Sequence, residues 1–348
     1  MNIKGIIKDT MDGNTDGWQA KALMPFLALG ELAYKKGFEI KRDQFLKNPK
    51  MRTRLAFPVI SIGNLTWGGT GKTPLVEAVV RKVLAAHKTP LVLTRGYSHD
   101  ETEQMKSHLK GALFASGKDR VLAAREVLRE YHVDIGVLDD GMQHWPIERD
   151  LEIVTINALN PFGNGRLIPR GILREPVTAL QRANIVVLMH VNFLKTQDLR
   201  DLRKKVAELA PAAKIVQAYV EPLFFYRGRD HTRVSIEKMR DKRVAAFSGI
   251  GTPRSFQLIL QRAKMKPVRN FEYMDHYDFK KKDIEEIERI SDLAGAEDII
   301  TTEKDFHRSK KLLSETINPL VLATRVQFMS GEDILEDHIM RLIGVKRA

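Results

Sequence analysis

Between Pro58 and Leu84 the chain reads PVISIGNLTWGGTGKTPLVEAVVRKVL. An apolar run, a glycine-rich turn and a helix-forming segment follow one another, the order in which backbone N–H groups close around phosphate oxygens at the positive end of a helix. Gly68, Gly69, Thr70, Gly71, Lys72 and Thr73 are therefore the nucleotide-binding candidates. Lys72 supplies the charge and Thr73 the hydroxyl for Mg²⁺, while Pro74 suits a first helical turn that has no use for its missing N–H. The strict phosphate-loop spacing asks for a glycine where this chain has Thr66.

A nucleotide site of this type needs a carboxylate at the end of a neighbouring strand to organise Mg²⁺. VDIGVLDDGMQH supplies Asp139 and Asp140, with Gly141 for a sharp turn and then Gln143 and His144 as substrate-binding candidates. Two adjacent carboxylates facing a triphosphate are costly unless a metal or a proton is shared, so at least one is a metal ligand. An acidic pair after a strand also serves as a cap or a turn. Further on, NPFGNGRLIPRGILREP (160–176) is a long Gly/Pro/Asn-rich loop of the kind that carries function. Arg166, Arg170 and Arg174 are placed there to grip an anionic substrate, and Glu175 to bind metal or water.

These residues need a scaffold, and short apolar runs alternate with helical patterns along the chain. Buried strands are expected at 57–62, 90–93, 112–115, 134–138, 152–156, 185–189 and 214–218, with helices such as 74–86 and 120–131 between them. The fold class is α/β: a P-loop NTPase-like α/β/α sandwich over residues 1–220, then a second, smaller α/β domain. The second part, 221–348, comprises a linker, a lobe of about 240–325 and a final amphipathic helix at 332–343. TTEKDFHR (301–308) falls at the end of a strand of that lobe, where Glu303, Lys304 and Asp305 could approach the nucleotide base, although a charge run there is ordinarily solvated.

With 348 residues the chain exceeds the ~250–300 at which single cores stop growing. The absence of Cys removes disulfides, thiolate metal sites and cysteine nucleophiles. A net charge of +13 favours a polyanionic partner, yet 7% aromatic residues offer no stacking platform for nucleic acid, which is not expected as a partner. Residues 1–20 contain Lys4 and Lys8 but no Arg, unlike an Arg-rich targeting segment. ALMPFLAL (22–29) is too short to span a membrane, and 41–54 carries six Lys/Arg against one Asp. Apolar and basic residues side by side fit an anionic membrane surface as well as a helix laid on the sheet.

Taken in order, GNLTWGGTGKTP, TRGY, LDDGMQH, GNGRLIPRGILREP, FSGIGTPRSF, DHYDF and TTEKD give a chain that resembles the tetraacyldisaccharide 4'-kinase (lipid A 4'-kinase) family over about residues 18–330. The same Thr-for-Gly loop occurs in that family. The resemblance implies transfer of the ATP γ-phosphate to the 4'-hydroxyl of tetraacyldisaccharide 1-phosphate, giving lipid IVA. It also implies two α/β/α lobes and an N-terminal helix dipping into the bilayer of a peripheral membrane enzyme, expected as a monomer. A bacterial member would work on the cytoplasmic face of the inner membrane, a eukaryotic one at an organellar membrane. By the same resemblance the catalytic aspartate is Asp100 in SHDETEQMK, followed at the expected spacing by Asp119-Arg120, and its partner is His276 in DHYDF. His99 stands where relatives have glycine. With ATP and Mg²⁺ as cofactors, Lys72, Asp100 and His276 are the catalytic set. The rivals are a P-loop kinase or ATP-dependent ligase of a soluble metabolite and a nucleotide-switch NTPase. For the latter, Trp67 occupies the place of the signature lysine of partition-type ATPases.

Overall fold

A computed structural model of the chain describes Met11, residues 18–96 and residues 99–345; the reading of residues 1–20 as free of a targeting segment lies largely outside them. The chain divides into two units, the first formed by residues 1–95, 111–218 and 328–348, the second by 96–110 and 219–327.

The first unit is built on strands β1 (Val59–Asn64), β2 (Pro90–Thr94), β3 (Leu113–Ser116), β4 (Ile135–Asp139), β5 (Leu151–Asn157), β6 (Ile185–Met189) and the start of β7 (Lys214–Arg227). Their order is β7-β6-β5-β1-β4-β2-β3, and every pairing is parallel. β1, β2, β4, β5 and β6 are buried along their whole lengths, as expected of apolar runs sandwiched between helices on both faces. One core packs Leu65, Val154, Ile156, Val186 and Leu188 against Leu202 and Val206 of the helix Thr196–Leu209. That helix was not foreseen, although Leu199, Leu202, Val206 and Leu209 have helical spacing. A second core joins Leu91, Leu93 and Leu138 to Ala123 and Ala124 of the helix Arg120–Val127. Asp119 caps this helix, its carboxylate accepting from the N–H groups of Val121 and Leu122 at 3.0 Å each.

The N-terminal helix Trp18–Lys47 is held to the 160–176 loop. Glu31 accepts from Leu167 N at 3.0 Å and pairs with Arg170, while the Tyr34 hydroxyl donates to Arg174 O at 2.9 Å. Phe26, Leu29 and Leu32, three residues apart, are 75%, 69% and 64% exposed on the same helix. Among the described residues no helix is long and apolar enough to cross a membrane.

The second unit contains the remainder of β7, β8 (Arg233–Val234) antiparallel to it, β9 (Val244–Ser248), β10 (Arg269–Glu272), β11 (Asp298–Thr302) and β12 (Leu320–Ser330), in the order β10-β9-β11-β12-β7. Its core is aromatic: Phe279 meets Phe247, Tyr273 and Tyr277 edge-on at centroid distances of 5.2, 5.0 and 5.2 Å.

A single break at residue 220 is therefore not what the packing produces. The helix Glu332–Leu342 belongs to the first unit, where Lys82 pairs with Glu332 at 2.7 Å and Glu336 at 3.5 Å. Residues 96–110 belong to the second unit because the helix His99–His108 packs on the helix Glu303–Arg308. The expected short strand at 214–218 continues as β7 to Arg227, so one strand carries the chain from the first unit into the second.

Candidate functional site

In the first unit the candidate residues start at the turn after β1. Gly68 has φ 104° and Gly71 φ 77°, left-handed conformations that glycine adopts without strain. At Gly71 a Cβ would also lie 2.8 Å from the Met189 side chain at the end of β6. Thr66, by contrast, is buried and forms an antiparallel bridge with Leu173. Paired backbone of this kind has no need of glycine, which is the physical reason a threonine is accepted there. The next strand over stiffens the loop: Thr70 Oγ1 meets Thr155 Oγ1 at 2.9 Å, and Asn157 Nδ2 donates to Gly69 O at 3.2 Å. The helix Lys72–Ala85 then begins at the lysine itself, with Thr73 in its first turn.

The expected metal ligands divide. Asp139 ends β4, in register with Ile62 of β1, and its carboxylate is buried. Asp140, in the left-handed region at φ 49°, turns to cations. Lys72 Nζ lies 3.6 Å from its Oδ1, and Arg174 Nη1 donates to both of its oxygens at 2.9 Å. Burial alone would raise the Asp140 carboxyl, but Lys72 and Arg174 outweigh it and hold it well below the usual carboxylate range. Glu175 is not an open ligand either. It is 0% exposed; Oε1 accepts from Gln143 Nε2 and Arg182 Nη2, each at 2.9 Å, and Oε2 from Arg182 Nη1 at 2.7 Å. Both oxygens are already engaged, which corrects the expectation of a free metal or water ligand.

Of the substrate-binding candidates, Gln143 and Arg174 are joined to this cluster. Gln143 Nε2 also donates to Asn64 O at 3.0 Å, and Arg174 Nη1 lies 3.5 Å from Gln143 Oε1. A continuous chain Arg182–Glu175–Gln143–Arg174–Asp140–Lys72 thus reaches the phosphate loop. His144 stands apart from it. Burial, then Arg120 and Arg149, push its imidazole down to about 3, so the ring is neutral, and its Nε2 has no hydrogen-bond partner among the described residues. Arg120 was not singled out as a site residue, yet it is 2% exposed. Burial lowers its guanidinium, against the attraction of Asp139 and Asp140.

A separate cluster of candidate residues lies wholly within the second unit. Asp100, in the first turn of the helix His99–His108, is 7% exposed, and its Oδ2 lies 3.9 Å from His276 Nδ1. His276 follows Asp275 in a turn at φ 59°, with its backbone N–H donating to Gly249 O at 3.1 Å. Lys304 Nζ approaches His276 Nε2 at 3.3 Å, Glu101 Oε1 at 2.9 Å and Asp275 Oδ1 at 3.2 Å. Burial would lower the Lys304 ammonium, but Glu101 and Asp275 outweigh it and keep it charged. Lys304 Nζ thus faces Nε2, and Arg308 Nη2 comes within 3.5 Å of Nδ1, so each ring nitrogen has a cation beside it.

TTEKDFHR is accordingly not a solvated run. Glu303 is 5% and Asp305 0% exposed. Glu303 Oε1 meets His108 Nε2 at 3.1 Å, and Arg308 reaches Asp100. Nothing local announces this, because Arg308 and Asp100 are 208 residues apart.

The family model described as tetraacyldisaccharide-1-P 4'-kinase matches residues 21–343. A probable mitochondrial tetraacyldisaccharide 4'-kinase of Arabidopsis thaliana is 34% identical over 345 residues, 88% of this chain and 87% of its own length. The tetraacyldisaccharide 4'-kinase of Halothermothrix orenii is 31% identical over 316 residues, 80% and 82% of the two chains. A crystal structure of LpxK from Aquifex aeolicus in complex with ATP has the same fold, with a TM-score of 0.68 at 24% identity over 93% of this chain and 99% of its own.

Proposed function

The chain belongs to the tetraacyldisaccharide-1-P 4'-kinase family, and on that premise we propose how its residues divide the work of a tetraacyldisaccharide 4'-kinase of lipid A biosynthesis. The donor is ATP, as bound in the Aquifex aeolicus LpxK structure. Its β- and γ-phosphates lie on the N–H groups of Gly68–Thr73, with Lys72 as the first cation and Arg174 as the second. Both cations converge on Asp140. Phosphoryl transfer has a loose transition state whose charge sits on the equatorial oxygens, so cations fixed by a half-buried carboxylate lower the barrier without reorganising.

Thr73 and Asp139 have the donor chemistry for Mg²⁺, a hydroxyl and a carboxylate, since this ion takes one or two protein ligands and completes its shell with phosphate and water. When bound, the ion neutralises charge on the phosphate oxygens. Asp140 is committed to Lys72 and Arg174, and Glu175 to Arg182 and Gln143, so their part is to orient.

On the acceptor side, Asp100 takes the proton of the 4'-hydroxyl, and His276, 3.9 Å from the same carboxylate, orients it. The single observation that carries this assignment is the pair itself: an aspartate and a histidine far apart in sequence lie 3.9 Å apart among further charged side chains. The lipid acceptor, tetraacyldisaccharide 1-phosphate, is met at a membrane surface. The exposed Phe26, Leu29 and Leu32 enter the interface, and the basic residues of 41–54 face anionic headgroups. The enzyme is thus a peripheral one, acting as a monomer.

The test is incubation of the purified protein with Mg²⁺, γ-labelled ATP and tetraacyldisaccharide 1-phosphate in mild detergent, with and without Asp100→Asn. Label at the 4' position with the parent and its loss in the variant is the expected result. Undiminished labelling by the variant removes Asp100 from the base role.

A further inference from the structure

We infer that Arg308 is the positioning residue of the acceptor-side aspartate: it fixes one oxygen of Asp100 and leaves the other for the sugar hydroxyl. The inference rests on the assignment of Asp100 as the base. Arg308 Nε and Nη2 donate to the same oxygen, Oδ2, at 2.9 and 2.7 Å. Both hydrogen bonds that Asp100 accepts from Arg308 go to Oδ2, which leaves Oδ1 as the oxygen to meet an incoming O–H. A carboxylate swinging about its χ2 would present either oxygen, whereas one pinned through Oδ2 presents Oδ1 alone.

The guanidinium is itself fixed. Nη1 donates to Asp305 Oδ1 at 3.1 Å, Gly249 O at 3.2 Å and Tyr277 O at 3.4 Å. Asp305 is wholly buried, and its Oδ2 accepts from Gly249 N at 3.1 Å and Thr302 Oγ1 at 2.6 Å. Thr302 in turn caps the short helix on which Asp305 and Arg308 stand one turn apart. The linkage therefore runs from β11 through the half-buried Thr302 and the buried Asp305 to Arg308 and Asp100. The side chains of Arg308 and Asp100 are 10% and 7% exposed.

Two features distinguish this from a salt bridge that merely holds the fold. Isolated buried pairs gain little over apolar replacements, so a pair surrounded by additional fitted acceptors is an orienting device rather than a source of stability. The fork also needs a planar guanidinium, because a lysine ammonium cannot serve Asp100, Asp305 and two carbonyls together. Its Nη2 comes within 3.5 Å of His276 Nδ1, so the same group sets the spacing of the aspartate and the histidine. The remaining charged groups around Asp100 are Glu101 on its own helix, Lys304 and Asp305 on the facing helix, and Asp275 in the turn before His276.

The experiment compares the parent with Arg308→Gln, Arg308→Lys, Arg308→Ala and Asp100→Asn in the labelling assay, with circular dichroism to establish folding. Misplacing a reacting group by about 1 Å costs on the order of 100-fold. Arg308→Gln is expected to lose about that factor in kcat with KM for ATP little changed, since the phosphate loop is untouched. Arg308→Lys, which keeps charge and length, is expected to lose about tenfold or more, because the fork is what is lost. Millimolar guanidinium should restore part of the activity of folded Arg308→Ala, a recovery that a purely structural role would not give. A folded Arg308→Gln within threefold of the parent kcat, beside an inactive Asp100→Asn, overturns the inference and leaves Asp100 as base. An active Asp100→Asn removes the base assignment and the inference with it. Should Arg308→Gln not fold, the same decision falls to Arg308→Lys: near-parent kcat overturns the inference, and a folded protein with depressed kcat supports it.

Discussion

Replacing Arg182 by methionine isolates the charge that anchors the chain of hydrogen bonds beneath the phosphate loop. Glu175 is wholly buried and receives two charge-assisted bonds from Arg182, at 2.7 and 2.9 Å. The guanidinium also lies 4.6 Å over the ring of Trp145. Removing one partner of a buried pair costs ~3–5 kcal/mol, because a carboxylate is left in low dielectric without its counter-charge. Two features place this site at the lower end. Arg182 is 29% exposed, so water follows when it is removed, and Gln143 still donates to Glu175. Methionine retains the apolar contact with Trp145 but forfeits a cation–π term of ~0.5–1 kcal/mol. The expected destabilisation is ~3 kcal/mol.

Glu175→Gln leaves the cation instead, and a guanidinium 29% exposed hydrates easily, so ~1–2 kcal/mol is expected there. The double variant buries no unpaired charge and should also lose only ~1–2 kcal/mol, a coupling of ~3 kcal/mol against the sum of the singles. Urea unfolding followed by tryptophan fluorescence suits the purpose, because Trp145 is 5% exposed and sits in the contact itself. A whole-chain thermal scan would mix the transitions of two units. A loss under ~1 kcal/mol for Arg182→Met, or strict additivity in the double variant, would refute the claim that Arg182 neutralises a buried carboxylate.

Lys72→Ala should reduce label transfer by ~10²–10³ while leaving the fold intact, since on the proposed assignment it removes the first cation on the phosphates; circular dichroism and turnover check both halves. Gly141→Ala would put a Cβ 2.3 Å from Ser61 Oγ and 2.9 Å from Leu138, so a loss of ~1–3 kcal/mol in urea unfolding is expected despite the small change in volume. His190 is buried, and burial pushes its imidazole from the ordinary 6.5 down to about 4. The unfolded chain takes up that proton first, so the stability contributed by the neutral ring is complete above pH 6.5 and is lost as pH falls toward 4. His190→Asn, which tolerates the φ of 64° found there, should flatten this dependence, and an unchanged acid slope in urea titrations would count against it.

How far the site could be read from the sequence depended on how far apart the cooperating residues lie. The phosphate loop is local: strand, glycines, lysine and helix occupy one continuous stretch, and each constraint on backbone φ is visible as a glycine. Thr66 broke the pattern because its reason is nonlocal, a bridge to Leu173. Apolar runs such as 185–189 were legible as strands since burial on both faces leaves no room for polar alternation. β10, Arg269–Glu272, escaped because it stands at the end of the strand order and carries exposed charged residues, as edge strands do.

Charged residues gave the least away. Glu175, Glu303, Asp305 and Arg308 have the composition of solvated surface, and only their partners, Arg182, His108, Gly249 N and Asp100, account for their burial. The pairing of Asp100 with His276 followed from family resemblance and from nothing in the spacing. The same reasoning separates the two acidic positions of LDDGMQH, which are equivalent in sequence. The left-handed turn at Asp140 aims one carboxylate at Lys72 and Arg174, while Asp139 stays at the strand end, which is the ground for proposing Mg²⁺ at Asp139.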